Sequence, residues 1–195
     1  MKIPPVRLLS RLIMGFMFVV FLMSSALSMS ASISSWQKLD IGQINEPGSA
    51  SEDQGVITLS GSGNDIWNNQ DDFYYVYVPM SGDASITVRV LSVENTHSWA
   101  KGALMFRDSL EPGSVNVALD YSAHEHVAFQ WRPVKNERSF YWGRKVGTGP
   151  IWLKLERTGN EFSGYYSLDG IDWTITTTKN VVMGEDVFLG LAVSP

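Results

Sequence analysis

The chain has 195 residues and a net charge of -5, and 44% of its residues are apolar while 18% are charged. This length fits one domain or two small ones, and the composition is that of a folded chain rather than a disordered one. The sequence contains no cysteine. The absence of cysteine excludes disulfides, thiolate metal sites and thiol nucleophiles.

Residues 1–30 have the pattern of a secretory signal peptide. Lys2, Arg7 and Arg11 form a basic start, residues 12–23 form an apolar run of twelve residues, and small residues follow. Such a run is short for a membrane-spanning helix, which needs about 20 residues. The alternative is an uncleaved N-terminal anchor. We therefore expect a secreted, periplasmic or cell-surface protein with no membrane contact beyond this segment.

The expected mature domain is acidic. Cleavage near Ser28 would leave 12 basic and 20 acidic residues, a net charge of -8. An acidic domain is a poor partner for nucleic acids and anionic lipids. Such a domain would bind polyanionic glycans only through a local basic patch.

From residue 36 onward, apolar and polar residues alternate with the period of two that is typical of β-strands. The predicted strands are 56–60, 73–78, 86–90, 102–107, 115–121, 127–132, 138–144, 153–156, 161–168 and 187–193. Turns rich in Gly, Asn and Asp separate them. The sequence therefore predicts an all-β domain over residues 36–195, in which two packed antiparallel sheets form a jelly-roll β-sandwich.

Motifs for catalysis are mostly missing. We find no phosphate loop, no dinucleotide-binding glycine pattern, no nucleophile elbow and no facing pair of carboxylates for glycoside hydrolysis. His124 and His126 would share one face of a strand and could contact one metal ion. We instead interpret the two histidines as polar residues at the end of a strand, because the sequence offers no third metal ligand near them. We therefore expect no enzymatic activity.

The segment 64–72 is dense in oxygen-bearing side chains. Asn64, Asp65, Asp71 and Asp72 are of the type that binds calcium in loops. The alternative is a turn held by hydrogen bonds from side chains to the backbone. Calcium is the only cofactor that the sequence brings into consideration.

Several segments together resemble one known bacterial module. They are LDIG (39–42), LSGSGNDIWNNQDDFYYVYVPMSGDASITVRV (59–90), WAKGALMFRDSLEPGS (99–114), VAFQWR (127–132), PIWLKLERTGNEFSGYYSLDGIDWT (150–174) and VFLGLAVS (187–194). This set resembles the exported regulation-of-enolase-type domains of the concanavalin A-like lectin/glucanase superfamily. The resemblance implies the same two-sheet sandwich. It carries no catalytic residues.

Two features of the chain depart from that family. Family members continue after the equivalent of GLAVS into a further strand, whereas this chain stops at Pro195. Either the last strand is absent, which leaves an open sheet edge, or the product is shortened. The stretch 120–146 is also less typical of the family.

The superfamily presents one concave sheet face to solvent, and the alternation places Arg107, Gln130 and Arg132 on such a face. Their planar donors suit hydroxyls or carboxylates. Three aromatic residues are candidates for stacking against sugar rings: Trp99, Tyr141 and Trp142. The alternative is that the arginines pair with nearby acids and the aromatics belong to the core.

The sequence thus predicts a noncatalytic exported binding module with a carbohydrate or cell-surface polymer as its partner. A structural or adhesive surface domain that contacts protein is the alternative. A glycoside hydrolase or polysaccharide lyase is the least favoured reading.

Overall fold

The computed structural model describes residues 11–13 and 32–195. In these residues the chain forms sixteen β-strands and one 3-10 turn at Ile33–Ser35. The strands are β1 (Arg11–Ile13), β2 (Gln37–Ile41), β3 (Ser49–Asp53), β4 (Val56–Ser60), β5 (Ile66–Trp67), β6 (Gln70–Asp71), β7 (Phe73–Ser81), β8 (Ala84–Val90), β9 (Lys101–Arg107), β10 (Asn116–Ser122), β11 (His126–Arg132), β12 (Phe140–Lys145), β13 (Ile151–Thr158), β14 (Glu161–Ser167), β15 (Thr174–Asn180) and β16 (Asp186–Ser194). No helix within the described ranges has the length and apolar character needed to cross a bilayer.

Two antiparallel sheets make up most of the fold. The seven-stranded sheet has the order β12-β11-β10-β9-β16-β7-β2, and the five-stranded sheet has the order β1-β8-β13-β14-β15. Two short hairpins, β3-β4 and β5-β6, complete the set of sheets. Each of the ten strands predicted from the alternation overlaps an observed strand, so the all-β prediction is confirmed.

The main core lies between the two sheets. Leu153 and Leu155 of β13 and Phe106, Leu119 and Phe129 of the opposite sheet are fully buried in one cluster. These residues occupy alternate positions of their strands, so each strand buries one side chain in two on this side of its sheet. Burying this apolar surface is the main source of stability in a chain without cysteine.

The two hairpins cover regions that the sandwich leaves open. Ile57 and Leu59 of β4 pack against Tyr74 and Val76 of β7, where the five-stranded sheet does not reach. On the other side, Ile66 of β5 packs in a cluster that includes residues of β7, β9 and β10. The β5-β6 hairpin therefore covers part of the face of the seven-stranded sheet that points away from the main core.

The two ends of the chain differ in what the structure describes. Strand β1 pairs with residues 85–87 of β8 at an edge of the five-stranded sheet. The rest of the predicted signal peptide, residues 1–10 and 14–30, lies outside the described residues, so the leader stays a prediction. The last described strand, β16, has β9 and β7 as hydrogen-bonded neighbours. It is therefore an interior strand of the sheet. The absence of the further strand that follows GLAVS in family members also stays a prediction.

Candidate functional site

The face of the seven-stranded sheet that points away from the main core, hereafter the outer face, carries most of the predicted ligand residues. On β9 and β11, Leu104, Phe106 and Phe129 point into the core. Because side chains alternate along a strand, Arg107, Gln130 and Arg132 point to the outer face. The outer-face positions of the three central strands are Lys101, Ala103, Met105 and Arg107 of β9, Asn116, Ala118, Asp120 and Ser122 of β10, and His126, Ala128, Gln130 and Arg132 of β11.

At one end of the outer face, Arg107 and Arg132 pair with a single carboxylate. Arg132 contacts Asp71 through two parallel hydrogen bonds, Nη2 to Oδ1 at 2.6 Å and Nη1 to Oδ2 at 2.8 Å. Arg107 Nη1 donates to the same Oδ2 at 2.5 Å, and Asn116 Nδ2 donates to it at 3.2 Å. We call these four residues the Asp71 cluster. All four side chains are buried, so the guanidinium groups are used within the protein.

The remaining donors of the two arginines hold loops over this end of the sheet. Arg132 also donates to the carbonyl oxygens of Trp67 and Asn68 in the β5-β6 turn region and of Glu137. Arg107 Nη2 donates to the carbonyl oxygen of Glu111 at 2.6 Å. The Asp71 cluster therefore joins three surface loops to the sheet. This is the ion-paired arrangement that the sequence left open as an alternative to ligand binding.

The three predicted aromatic residues lie in different places. Tyr141 is paired with Gln130 across β11 and β12 and shares its outer face, whereas Trp142 is paired with the core residue Phe129. Trp142 therefore lies on the opposite side of β12 from Tyr141, away from the outer face. Tyr141 is 56% exposed, and its ring meets that of Trp67 edge-on at 5.7 Å.

Trp99 lies just before β9, and its side chain is half exposed. Its ring stacks on that of His124 with centroids 6.5 Å apart and lies 6.2 Å from that of His126. The two histidines therefore flank an indole at the edge of the outer face.

The oxygen-rich segment before β7 is occupied by contacts within the protein. Asp65 Oδ1 accepts from Lys101 Nζ at 2.6 Å, and Asp72 Oδ1 accepts from the backbone N–H of Gln43 at 2.8 Å. Asp71 belongs to the Asp71 cluster, and Asn64 lies in the loop that leads into β5. Within residues 32–195, no group of three or more His, Asp or Glu side chains is arranged to hold a metal ion. The predicted calcium ligands thus do not converge.

Two rows away from the Asp71 cluster on the outer face, a row of very small side chains crosses the sheet around one carboxylate. Asp120 is paired with Ala103 on one side and with Ala128 on the other, and the row continues to Ala192 and Gly143. The neighbouring rows carry longer side chains, including Lys101 on one side and Met105, Gln130 and Tyr141 on the other. We call this row the Asp120 groove. Because Ile66 packs with Ala103 and Ala118, its β9 end is covered, and exposed Gly143 marks its open end at β12.

Four buried polar side chains on this face have an atom without a hydrogen-bond partner. They are Asp120 (Oδ2), Ser122 (Oγ), Gln130 (Oε1) and Ser194 (Oγ). Within residues 32–195 only two further such atoms occur, on Arg89 and Arg157 in the five-stranded sheet. An unsatisfied buried polar atom costs about 1–3 kcal/mol, and most such groups in proteins have a partner. Their concentration on one face indicates a site for a polar ligand or for bound water.

Burial also changes the acidity of the groove. Desolvation raises the pKa of Asp120 to about 7; the Lys101 ammonium opposes this shift and the Asp65 carboxylate adds to it. The Asp120 carboxyl therefore changes its protonation state near neutral pH. Lys101, the nearest cation, is itself buried and already paired with Asp65.

A cavity of about 410 Å³ lies at the end of the sandwich, lined in part by residues packed against the main core. It is lined mainly by apolar residues of β4, of the segment after β8 and of the end of β16, among them Ile57, Leu59 and Val93. The cavity shares only Ala103, Ala192 and Ser194 with the outer face. Asp120, Ser122 and Gln130, which carry the other three unpartnered atoms of that face, do not line it.

Neither the groove nor the partner of the arginines is apparent from the sequence. Asn116, Asp120 and Ser122 occupy three of the four alternate positions of β10 that lie opposite Val117, Leu119 and Tyr121, and Ala118 occupies the fourth. All seven residues of β10 are buried. Polar residues at alternate positions of a strand were visible in the sequence; that they are as buried as their apolar neighbours was not.

Two solved structures are similar to this chain over most of their length. A functionally unknown protein from Saccharomyces cerevisiae aligns with a TM-score of 0.66 at 15% identity, over 85% of this chain and 89% of its own. The carbohydrate binding module CBM66 from Bacillus subtilis aligns with a TM-score of 0.51 at 18% identity, over 75% of this chain and 84% of its own. Likeness at these identities shows a shared β-sandwich fold.

No protein-family model matches the chain. No curated protein matches it either. The regulation-of-enolase resemblance therefore stays a prediction.

Proposed function

We propose that this chain is a noncatalytic, exported carbohydrate-binding domain that holds its ligand in the Asp120 groove. The observation that carries the proposal is the set of buried, unpartnered polar atoms on the outer face, next to the exposed ring of Tyr141. A sugar offers the two kinds of surface that such a groove needs. Its hydroxyls satisfy carboxylate, amide and hydroxyl groups, and its C–H face packs on an aromatic ring.

The fold likeness supports this proposal, because one of the similar structures is a carbohydrate binding module. The sequence resemblance to exported regulation-of-enolase-type domains points in the same direction. Arg107 and Arg132, which the sequence suggested as ligand contacts, have a structural role in this proposal. They hold the β5-β6 hairpin, which carries Trp67 to the ring of Tyr141.

Isothermal titration of the purified protein against a panel of plant, algal and bacterial polysaccharides tests the proposal. We expect at least one glycan to bind, and Asp120→Asn to weaken that binding at least tenfold. The matched control is Glu161→Gln, which removes an exposed carboxylate from β14 of the other sheet and should leave binding unchanged.

Three results would contradict the proposal. Binding to no glycan would remove the carbohydrate function. Capture of a surface protein that Asp120→Asn leaves unchanged would favour an adhesive domain instead. Release of reducing ends from a bound glycan would show a hydrolase and would contradict the noncatalytic part.

A further inference from the structure

The unpartnered atoms of the Asp120 groove differ in hydrogen-bonding character. The free atoms of Asp120 and Gln130 are oxygens that accept hydrogen bonds, Oδ2 and Oε1. Only the hydroxyls of Ser122 and Ser194 can either donate or accept. These two oxygens are matched by hydrogen-bond donors, which the O–H groups of a sugar supply. Carboxylate, sulfate and phosphate oxygens supply acceptors alone.

Four cations of the outer face are each paired with a carboxylate. Lys101 Nζ pairs with Asp65 at 2.6 Å, and Lys145 Nζ at the β12 edge pairs with Glu125 at 3.2 Å. Arg107 and Arg132 are enclosed with Asp71 at the far end of the face. An anionic ligand would thus meet the carboxyls of Asp120 and Asp65, while these four cations of the outer face are already engaged with other carboxylates.

The location of Asp120 strengthens this repulsion. Its side chain is 2% exposed, and charges in a desolvated site are screened much less than charges in water. The whole chain also carries a net charge of -5, which disfavours the approach of polyanions.

We infer that the groove selects uncharged glycans, because its unpartnered oxygens accept hydrogen bonds from a pair of neighbouring hydroxyls. The same oxygens and the negative charge of Asp120 reject uronic-acid, sulfated and phosphorylated sugars. The inference rests on the proposed function and names its ligand class. In the inferred complex, two adjacent hydroxyls of one sugar ring donate to the Asp120 carboxylate and the Gln130 amide oxygen, both of which are enclosed in the free protein. A carboxylate at the same place faces two acceptors and a second negative charge.

Pairs of polymers that differ only in charge test this selectivity. Suitable pairs are soluble amylose and laminarin, each compared with the same polymer whose primary hydroxyls have been oxidised to carboxylates. Titration at about pH 8, where Asp120 is ionised, should show binding to the neutral member of at least one pair. The acidic member should bind at least tenfold more weakly at constant ionic strength.

The variants Asp120→Asn and Glu161→Gln identify the source of the discrimination. Asp120→Asn removes the charge and adds an N–H donor, so the ratio of neutral to acidic affinity should fall at least threefold, even if both affinities drop. Glu161→Gln should leave that ratio unchanged. Circular dichroism checks that both variants are folded.

The outcomes separate the inference from the function. Equal or tighter binding of an acidic member would overturn the selectivity and leave carbohydrate binding standing. An unchanged ratio in Asp120→Asn would overturn the role of Asp120. Binding to neither member of any pair, nor to any glycan of the wider panel, would overturn the proposed function itself.

Discussion

The two ends of the outer face hold two buried carboxylates in opposite situations. Asp71 accepts from two guanidinium groups and one amide, and both of its oxygens have partners. Asp120, equally buried, has an oxygen with no partner within the described residues. A buried ion is tolerated when its charge and its lone pairs are matched. The matched carboxylate therefore belongs to the framework of the fold, and the unmatched one is where we propose that the ligand binds.

The largest effect that this comparison predicts is at Asp71. Asp71→Asn keeps the shape of the side chain but leaves two buried guanidinium groups without a counter-charge. Breaking such a buried pair costs about 3–5 kcal/mol, and we expect that loss in the free energy of unfolding measured with urea. The neighbouring Asp72→Asn, which can keep the single bond from Gln43, should lose at most about 1 kcal/mol. Equal losses in the two variants would contradict the framework role of Asp71.

The next effect is the dependence of stability on pH at Asp120. Its pKa of about 7 in the folded protein lies above the ordinary value of 3.8, so the folded state binds the proton more tightly than the unfolded state does. The stability from this group is therefore complete below about pH 4 and is lost as the pH rises through 7. Between about pH 5 and pH 8, the wild-type protein should lose roughly 2–3 kcal/mol relative to Asp120→Asn.

Urea unfolding of both proteins at several pH values checks this difference. The comparison with Asp120→Asn cancels the other titrating groups around the groove, which are Asp65, Lys101, His126 and the Lys145–Glu125 pair. If the unfolding free energies of the two proteins changed in parallel with pH, the pKa of Asp120 would be that of an ordinary aspartate. That result would contradict the contrast between Asp120 and Asp71.

How much the sequence predicts depends on whether a feature is local. The alternation of residues in β8 and β13 predicts both the strands and their buried sides, because only one side of each strand is buried and the sequence records that period. In β10 and β11 the alternation predicts the strands, but the polar side is buried as well. Strand β15 was missed because only Thr176 of its seven residues is buried, so no apolar period exists to detect. Trp142 follows two other aromatic residues, and such a run does not reveal which face each residue takes.

The partners of the arginines illustrate the same limit. Asp71 lies 36 residues before Arg107 and 61 before Arg132, and only the folded sheet brings them together. The burial of Asp120 is likewise not recorded in the residues of β10 itself. Pairing and burial of polar side chains are set by tertiary contacts, which a single sequence does not record.

A smaller effect concerns the ligand rather than the fold. Tyr141→Ala removes an exposed ring beside the groove, and aromatic stacking contributes about 0.5–1.5 kcal/mol. We expect glycan affinity to fall by up to about tenfold, with little change in the melting temperature. Tyr165→Ala, on β14 of the other sheet, is the control, and calorimetry should show its affinity unchanged. A loss of the same size in both variants would place the ligand elsewhere.

The smallest effect separates two buried serines. Ser114 Oγ accepts from the Ser109 N–H and donates to the Val115 carbonyl, both at 2.9 Å, whereas Ser122 Oγ has no partner. Ser114→Ala should therefore cost about 1 kcal/mol of unfolding free energy, while Ser122→Ala should be neutral or slightly stabilising. Thermal unfolding of the two variants measures this difference. If Ser122→Ala were the more destabilising variant, its hydroxyl would have a structural partner.

The most direct test of the central claim is a map of the backbone amides that respond to ligand. The protein labelled with ¹⁵N is titrated with the neutral glycan that binds most tightly, and amide chemical shifts are followed by NMR. The Asp120 groove predicts the largest shifts at 118–122, 128–130 and 141–143, with little change in β13 to β15. Shifts confined to the five-stranded sheet, or to the apolar cavity beside β4, would contradict the account.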